Sequence, residues 1–451
     1  MAIATVTLPV ERKPNGAALA SWGRYPRQTA QVRPWFWSDE TPPWGEGRSL
    51  AYGLGRSYGD SCLNEGGVLV PTRSLNHFIA FDPASGELTC EAGVTLDEIL
   101  QFAVPRGWFL PTMPGTKFVT LGGAIANDIH GKNHHRAGTF GRHVQWLELV
   151  RSDGPRLRCS EKSEPELFRA TIGGLGLTGF IAQATIQLRP ITSAAMDVVS
   201  TRFANLEEFF ELSAAADKDF EYTVAWVDSL ARGKKLGRGI FMAGNHAVGQ
   251  SPEDLRVHRV PRARLPFNLP GFVLNPWSVG LFNQCYFHKQ RPGARRARVH
   301  YDPFFFPLDA LRDWNRLYGR RGFFQYQSVV PLPDGRAATA AMLARISRSG
   351  QASFLAVLKL FGSPASPGMM SFPRPGVTLA LDFPNRGEET ERLFADLDAI
   401  VREAGGSLYP AKDARMRGED FRRFYPQWEA FAHFLDPYCS SSFWRRVTAS
   451  A

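Results

Sequence analysis

Two hydrophobic periods alternate along the first third of this chain. Glu87 to Gly93 reads as a strand, and Thr95-Leu96-Asp97-Glu98 then matches a capping box opening a helix with apolar positions at Leu96, Ile99, Leu100, Ala103 and Val104. Gly107 supplies the left-handed stop that such a helix takes. From Gly179 to Leu188 the period changes to two, with Phe180, Ala182, Ala184, Ile186 and Leu188 set against Gln183, Thr185 and Gln187. That alternation predicts a half-buried strand, which Pro190 closes. Further strands are predicted at Tyr222 to Val227, Phe323 to Val330, Phe354 to Phe361 and Val377 to Phe383, with helices at Asn205 to Ala215 and Glu389 to Ala404 between them. The expected class is therefore α+β in two domains: 1–192, rich in glycine and short strands, and 193–406, built on an antiparallel sheet.

One stretch fits neither period. Leu265 to Phe287 carries no charged side chain, yet Pro266, Pro270, Pro276 and several asparagines argue against a membrane-spanning helix. It is expected as an apolar loop between two basic shoulders, Arg256 to Arg264 and His288 to Arg298. Such a loop suits either an anionic bilayer or a mobile surface position.

At 451 residues a large core is available without disulfide or metal staples. The five cysteines (Cys62, Cys90, Cys159, Cys285, Cys439) have no paired C-x-x-C spacing, which favours a reducing compartment. The start, MAIATVTLPVERKPNG, lacks a secretory signal pattern, so a cytoplasmic protein is expected. A net charge of +10 points to an anionic partner, whether nucleic acid, membrane or phosphorylated substrate. The basic runs lack the aromatic interleaving of a single-strand platform, which disfavours nucleic acid.

Chemistry concentrates in three glycine-bearing segments: Ala51 to Asp60 (AYGLGRSYGD), Pro114-Gly115-Thr116 with Thr120-Leu121-Gly122-Gly123-Ala124, and Asn127 to His135 (NDIHGKNHH). Glycines let backbone N–H groups crowd a pyrophosphate, and hydroxyls such as Ser57 and Thr120 complete the nest. Gly174 to Gly179 also fits G-x-G-x-x-G, but it follows a helix-like stretch and enters a strand, which is the wrong order for a nicotinamide-binding fold. His130, His134 and His135 lack the helical spacing of a zinc site, and no metal is expected.

The three segments in this order, followed by Ile172-Gly173-Gly174 and Gly179-Phe180-Ile181, resemble the FAD-binding domain of the vanillyl-alcohol oxidase and p-cresol methylhydroxylase superfamily. Trp314-Asn315-Arg316, Phe323 to Gln327, Lys359 to Gly362 and Tyr409 to Asp413 extend the resemblance to that superfamily's polyprenylphosphoryl-ribose oxidases. It implies a two-domain FAD-binding fold in which 407–451 returns to the first domain. It also implies FAD contacts at Gly53, Gly55, Arg56, Ser57, Tyr58, Gly59, Gly115, Thr120, Gly122, Gly123, Asn127, Ile129, His130, Ile181 and Tyr409. Covalent relatives often carry histidine where Arg56 stands, so dissociable FAD is expected.

By the same resemblance Lys412 contacts or deprotonates the alcohol, with Lys132, Tyr58 and His130 beside it, unless its amine is spent on Asp413. Substrate would meet Trp226, Arg316, Phe323, Gln325, Gln327, Lys359, Phe361 and Ala380, the last standing where relatives have cysteine. The implied reaction oxidises the 2′-hydroxyl of a polyprenylphosphoryl-β-D-ribose, and a nicotinamide-dependent short-chain reductase would complete epimerisation to the arabinose form. A lipid substrate together with the basic-flanked loop leads to the expectation of a cytoplasmic protein in peripheral contact with the inner face of the cell membrane. The alternative substrate is a soluble sugar alcohol or sugar lactone.

Overall fold

The computed structural model describes residues 19–257 and 263–449. The N-terminal segment read for a signal and most of the first basic shoulder lie outside the described residues. Two antiparallel sheets organise the chain. The first has five strands, ordered Phe78–Phe81, Glu87–Glu91, Phe180–Gln187, Val144–Val150 and Leu157–Ser160. The second has eight: Ala294–His300, Ala195–Phe203, Gly239–His246, Tyr222–Val227, Ala356–Phe361, Gly376–Pro384, Phe323–Val330 and Ser407–Leu408. A small parallel sheet of Gln31–Val32, Val68–Pro71 and Ser49–Tyr52 leads into the first glycine turn.

Local chemistry explains why the early elements form where they do. Thr95 and Glu98 exchange the reciprocal bonds of a capping box, Glu98 N donating to Thr95 Oγ1 (3.2 Å) and Thr95 N to Glu98 Oε2 (2.8 Å). The Leu96–Ala103 helix then buries Leu96, Ile99, Leu100 and Ala103, the i, i+3, i+4 stripe that packs on the five-stranded sheet. Gly107 ends the following turn at φ +79°.

The Phe180–Gln187 strand is more buried than its alternation predicts. Ile181 and Thr185, on the face expected to meet solvent, are buried with Phe180, Ala182, Ala184 and Ile186. This strand is central, and the Leu121–Ala126 helix covers it. Period alone cannot see a second covered face.

The expected loop at 265–287 is a helix over its second half, Pro276–Lys289. Asn275 Oδ1 accepts from Trp277 N (2.8 Å) and Ser278 N (3.0 Å), and Pro276 occupies the first helical position. Proline is tolerated there because its missing N–H has no intrahelical partner to lose, so it starts this helix rather than breaking one.

The C-terminal residues fold back across the first glycine turn. Arg446 forks onto Asp60 (2.9 and 2.7 Å) and reaches Asp413 (2.9 Å), while Ser49 N donates to Tyr438 O and Ser440 N to Ser49 O.

Candidate active site

The Ser49–Tyr52 strand delivers the chain into Gly53-Leu54-Gly55-Arg56-Ser57. A Cβ at Gly53 would lie 2.5 Å from Thr120 Oγ1, and Gly55 adopts φ +61° with the Tyr52 hydroxyl against it, so both positions need glycine. The backbone N–H groups of Leu54 to Ser57 find no acceptor among the described residues. Four consecutive unpaired amides in a glycine turn are the donor set that a diphosphate requires. Across from them, Thr120 caps the Leu121–Ala126 helix by accepting from Gly123 N (3.2 Å), and the space beside Gly115 is open. This turn fits the diphosphate of FAD.

Other residues of the expected cofactor set have structural duties. Gly122 and Gly59 serve close packing, on Ala92 and on the Asp413 carbonyl. Ile181 is buried in the sheet core. Arg56 lies over the Trp22 ring (4.3 Å) and donates to Leu54 O (2.9 Å). Asn127 donates to Gly123 O (2.8 Å) and receives the Tyr409 hydroxyl on its carbonyl (2.9 Å).

The Asn127–His135 segment is pinned by Asp128. Its carboxylate takes Gly141 N (2.8 Å) and the hydroxyls of Ser366 and Ser371, and its backbone sits at φ +39°. This places His130, after Ile129, against Phe361 (4.8 Å), Tyr409 (5.4 Å) and Phe372 (5.9 Å). Burial, then the nearby Lys359 amine, holds its pKa well below the ordinary histidine value, so the ring is neutral. Its Nε2 accepts from the Gln327 amide (3.0 Å), which puts the remaining proton on Nδ1. That N–H has no hydrogen-bond partner among the described residues.

The larger sheet supplies the rest of the chamber through its register. Gln325 stands opposite Asp382, Gln327 opposite Ala380, and Lys359 opposite Thr378. Side chains two apart on a strand share a face, so Phe323, Gln325, Gln327, Lys359, Phe361, Ala380 and Asp382 project together. Gln325 Nε2 donates to Asp382 Oδ1 (2.6 Å) and Gln325 also bonds Tyr58, while Asp382 Oδ2 is buried with no hydrogen-bond partner among the described residues. Lys412, delivered by the Tyr409-Pro410-Ala411 turn, sets its Nζ 3.9 Å above the Tyr58 ring. Asp413, its sequence neighbour, is engaged by Arg446.

Three amines crowd this chamber. Burial lowers Lys132 to about 7, with Lys359 adding repulsion, and burial lowers Lys359 to about 8. Lys132 Nζ bonds Phe304 O above the Phe304 ring, and Lys359 Nζ donates to Gly131 O (3.4 Å). Burial lowers Lys412 too, opposed by Asp382 and assisted by Lys359, while burial raises Asp382. Tyr58 is pushed well above its ordinary value by burial and keeps its proton.

Three of the expected substrate contacts are engaged by other protein groups. The Arg316 guanidinium is spent on the carbonyls of Leu265 (3.1 Å) and Pro266 (2.6 Å), pinning the loop before the Pro276–Lys289 helix. Trp226 shares the sheet face but lies further out, donating Nε1 to Phe354 O (2.9 Å) and packing on Tyr286. Phe323 is fully buried behind Tyr58 (5.3 Å) as its support. Asp382 was missed as a site residue. Its signal is an acid two positions beyond Ala380 in a strand whose other polar side chain is Thr378.

Comparison with known proteins fits this geometry. A profile of the FAD binding domain matches residues 47–160, which hold the glycine turns. The chain is 37% identical over 400 residues to decaprenylphosphoryl-β-D-ribose oxidase of Mycolicibacterium smegmatis, covering 86% of each protein. It is 33% identical over 351 residues to an uncharacterised protein of Streptomyces coelicolor, across 75% of this chain and 94% of the relative. A probable L-gulonolactone oxidase of Arabidopsis thaliana matches at 33% over 140 residues, only 30% of this chain and 24% of the plant protein. With its nucleotide-binding turns, buried amines and similarity over most of its length, the chain belongs to the decaprenylphosphoryl-β-D-ribose oxidase family of FAD-dependent oxidoreductases.

Proposed function

We propose that this enzyme oxidises the 2′-hydroxyl of a polyprenylphosphoryl-β-D-ribose to the 2′-keto product, the first half of epimerisation to the arabinose form. The observation that carries the reading is the convergence of Lys132, Lys359 and Lys412 with one carboxylate, Asp382, on a chamber beside the FAD-type turns. Buried amines this close repel one another, and a phosphorylated sugar relieves that repulsion. Identity over most of the chain to a decaprenylphosphoryl-ribose oxidase supports the same substrate class. In this reading 1–192 and 407–451 form the FAD domain, in the fold of the p-cresol methylhydroxylase type, and 193–406 the substrate domain. FAD is dissociable, Arg56 standing where a histidine tether would be. The enzyme works at the inner face of the cell membrane, with a nicotinamide-dependent short-chain reductase taking its product.

FAD, when bound, supplies the acceptor for the hydride that leaves the sugar carbon. The chain's own task is the proton and the alignment. Lys412, its pKa depressed by burial, presents a neutral amine to take the hydroxyl proton, and Asp382 then stabilises the ammonium formed. Gln325 holds Asp382 and Tyr58 in place, and the Gln327 amide fixes the His130 tautomer. Anaerobic mixing of the yellow protein with a lipid-phosphoryl ribose tests the proposal. Bleaching of the flavin absorbance by that substrate, and not by free alditols or aldonolactones, is the expected result. Bleaching only by the free sugars overturns it.

A further inference from the structure

The Pro276–Lys289 helix is apolar on both sides. Val279, Asn283 and Phe287 face inward at four-residue spacing, while Trp277 (89% exposed) and Leu281 (68%) stand on the opposite side. Phe272 (76%), in the loop before it, adds to the outward patch. A surface helix normally turns polar residues outward, so an outward tryptophan and leucine beside an exposed phenylalanine require an apolar occupant.

Charge identifies the occupant. From Leu265 to Arg298 there is no Asp or Glu, and the helix runs directly into Lys289, Arg291, Arg295, Arg296 and Arg298. Arg295 and Arg296 are exposed on Ala294–His300, the edge strand of the larger sheet. Asp197 on the neighbouring strand pairs with Arg298 (2.8 Å), while Arg295 and Arg296 stay exposed, so the edge keeps a net positive charge. Aromatic and aliphatic side chains beside a net cationic edge complement an anionic bilayer, whose acyl chains take the former and whose headgroups the latter. No helix among the described residues is long and apolar enough to cross a membrane, so the contact is peripheral.

Position ties the patch to the chamber. Phe282 packs on Phe354 (5.6 Å), Phe354 on Tyr318 (5.9 Å), Tyr318 stacks on Phe323 (4.2 Å), and Phe323 supports Tyr58 beneath Lys412. We infer that Phe272, Trp277 and Leu281, with the basic edge strand, dock the enzyme on an anionic lipid surface and bring the lysine-bearing face of the larger sheet to the lipid-borne substrate. The substrate half of this statement rests on the proposed function. The docking half stands on the patch.

The test is co-sedimentation of the full-length holoenzyme with vesicles of phosphatidylcholine alone or mixed with phosphatidylglycerol. The parent protein is expected to sediment with the anionic vesicles, less so at high salt. Combined Phe272→Ser, Trp277→Ser and Leu281→Ser should cut partitioning at least about tenfold, and Arg295→Gln or Arg296→Gln about fivefold each. All variants should keep their flavin absorbance and oxidise a water-soluble short-chain phosphoryl ribose at the parent rate. Parent-like partitioning of the triple variant overturns the inference. So does a parent dimer in light scattering that the triple variant dissolves, since a second copy would then own the patch. Sedimentation reads docking whether or not any ribose is oxidised. A parent that binds anionic vesicles but oxidises neither substrate therefore supports docking while sinking the substrate reading.

Discussion

Replacing Lys412 with alanine removes the one amine placed over Tyr58 and facing Asp382. A positioned general base contributes about 10²- to 10⁴-fold, or about 3–5 kcal/mol of barrier at 1.36 kcal/mol per tenfold. The loss should appear in the chemical step and not in cofactor retention, because the unpaired amides of Leu54 to Ser57 lie on a different segment. The pH dependence follows from the sign of the shift. Burial lowers the Lys412 pKa, so the neutral, proton-accepting form grows as pH rises, and the parent's rate should climb with pH to a plateau. Lys132 and Lys359 shed charge near 7 and 8, which weakens binding of a phosphorylated sugar over the same range. Saturating substrate keeps that effect out of the measurement. Anaerobic single-turnover bleaching across pH is the assay. The variant should be yellow, slower by that factor, and without the rise. A variant that bleaches within a few-fold of the parent, or keeps the same pH limb, refutes the role of Lys412 as base.

Asp382→Asn withdraws the carboxylate that opposes lowering of the Lys412 pKa, so the limb should move to lower pH by about one unit, read in the same bleaching experiment. Gly55→Ala forces a side chain into φ +61° against the Tyr52 hydroxyl, and the purified variant should show a reduced ratio of flavin to protein absorbance. Lys117→Met takes the ammonium away from buried Asp302 and removes the 3.0 Å ion pair to half-buried Asp97, and should cost about 3–5 kcal/mol in denaturant unfolding. Acid precipitation of the parent protein should leave the yellow colour in the supernatant, and colour retained in the pellet would mean a covalent flavin.

Much of the chamber was readable because strands carry their own ruler. Phe323 to Gln327, Lys359 to Phe361 and Ala380 to Asp382 sit on antiparallel strands, where alternate residues share a face once the register is known. The glycine turns were legible for a similar reason, since Gly53 and Gly55 occupy positions closed to other side chains. What escaped depended on long-range partners. Nothing local says that Arg316 reaches the carbonyls of Leu265 and Pro266, or that Trp226 bonds Phe354 O across the sheet. Asp382 acquires its meaning from Gln325, 57 positions away. The Pro276–Lys289 helix was hidden by counting Pro276 as a breaker, when Asn275 before it makes it a starter.

The fork from Arg446 onto Asp60 and Asp413 has a consequence for biogenesis. The nucleotide turn is translated long before its outer support, Asp60 lying 386 positions ahead of Arg446. A ribosome-bound nascent chain therefore holds the turn without its brace. Cofactor capture then waits until Arg446 has been made and has docked, and a nick between the turn and Arg446 should yield colourless protein although every glycine of the turn is present.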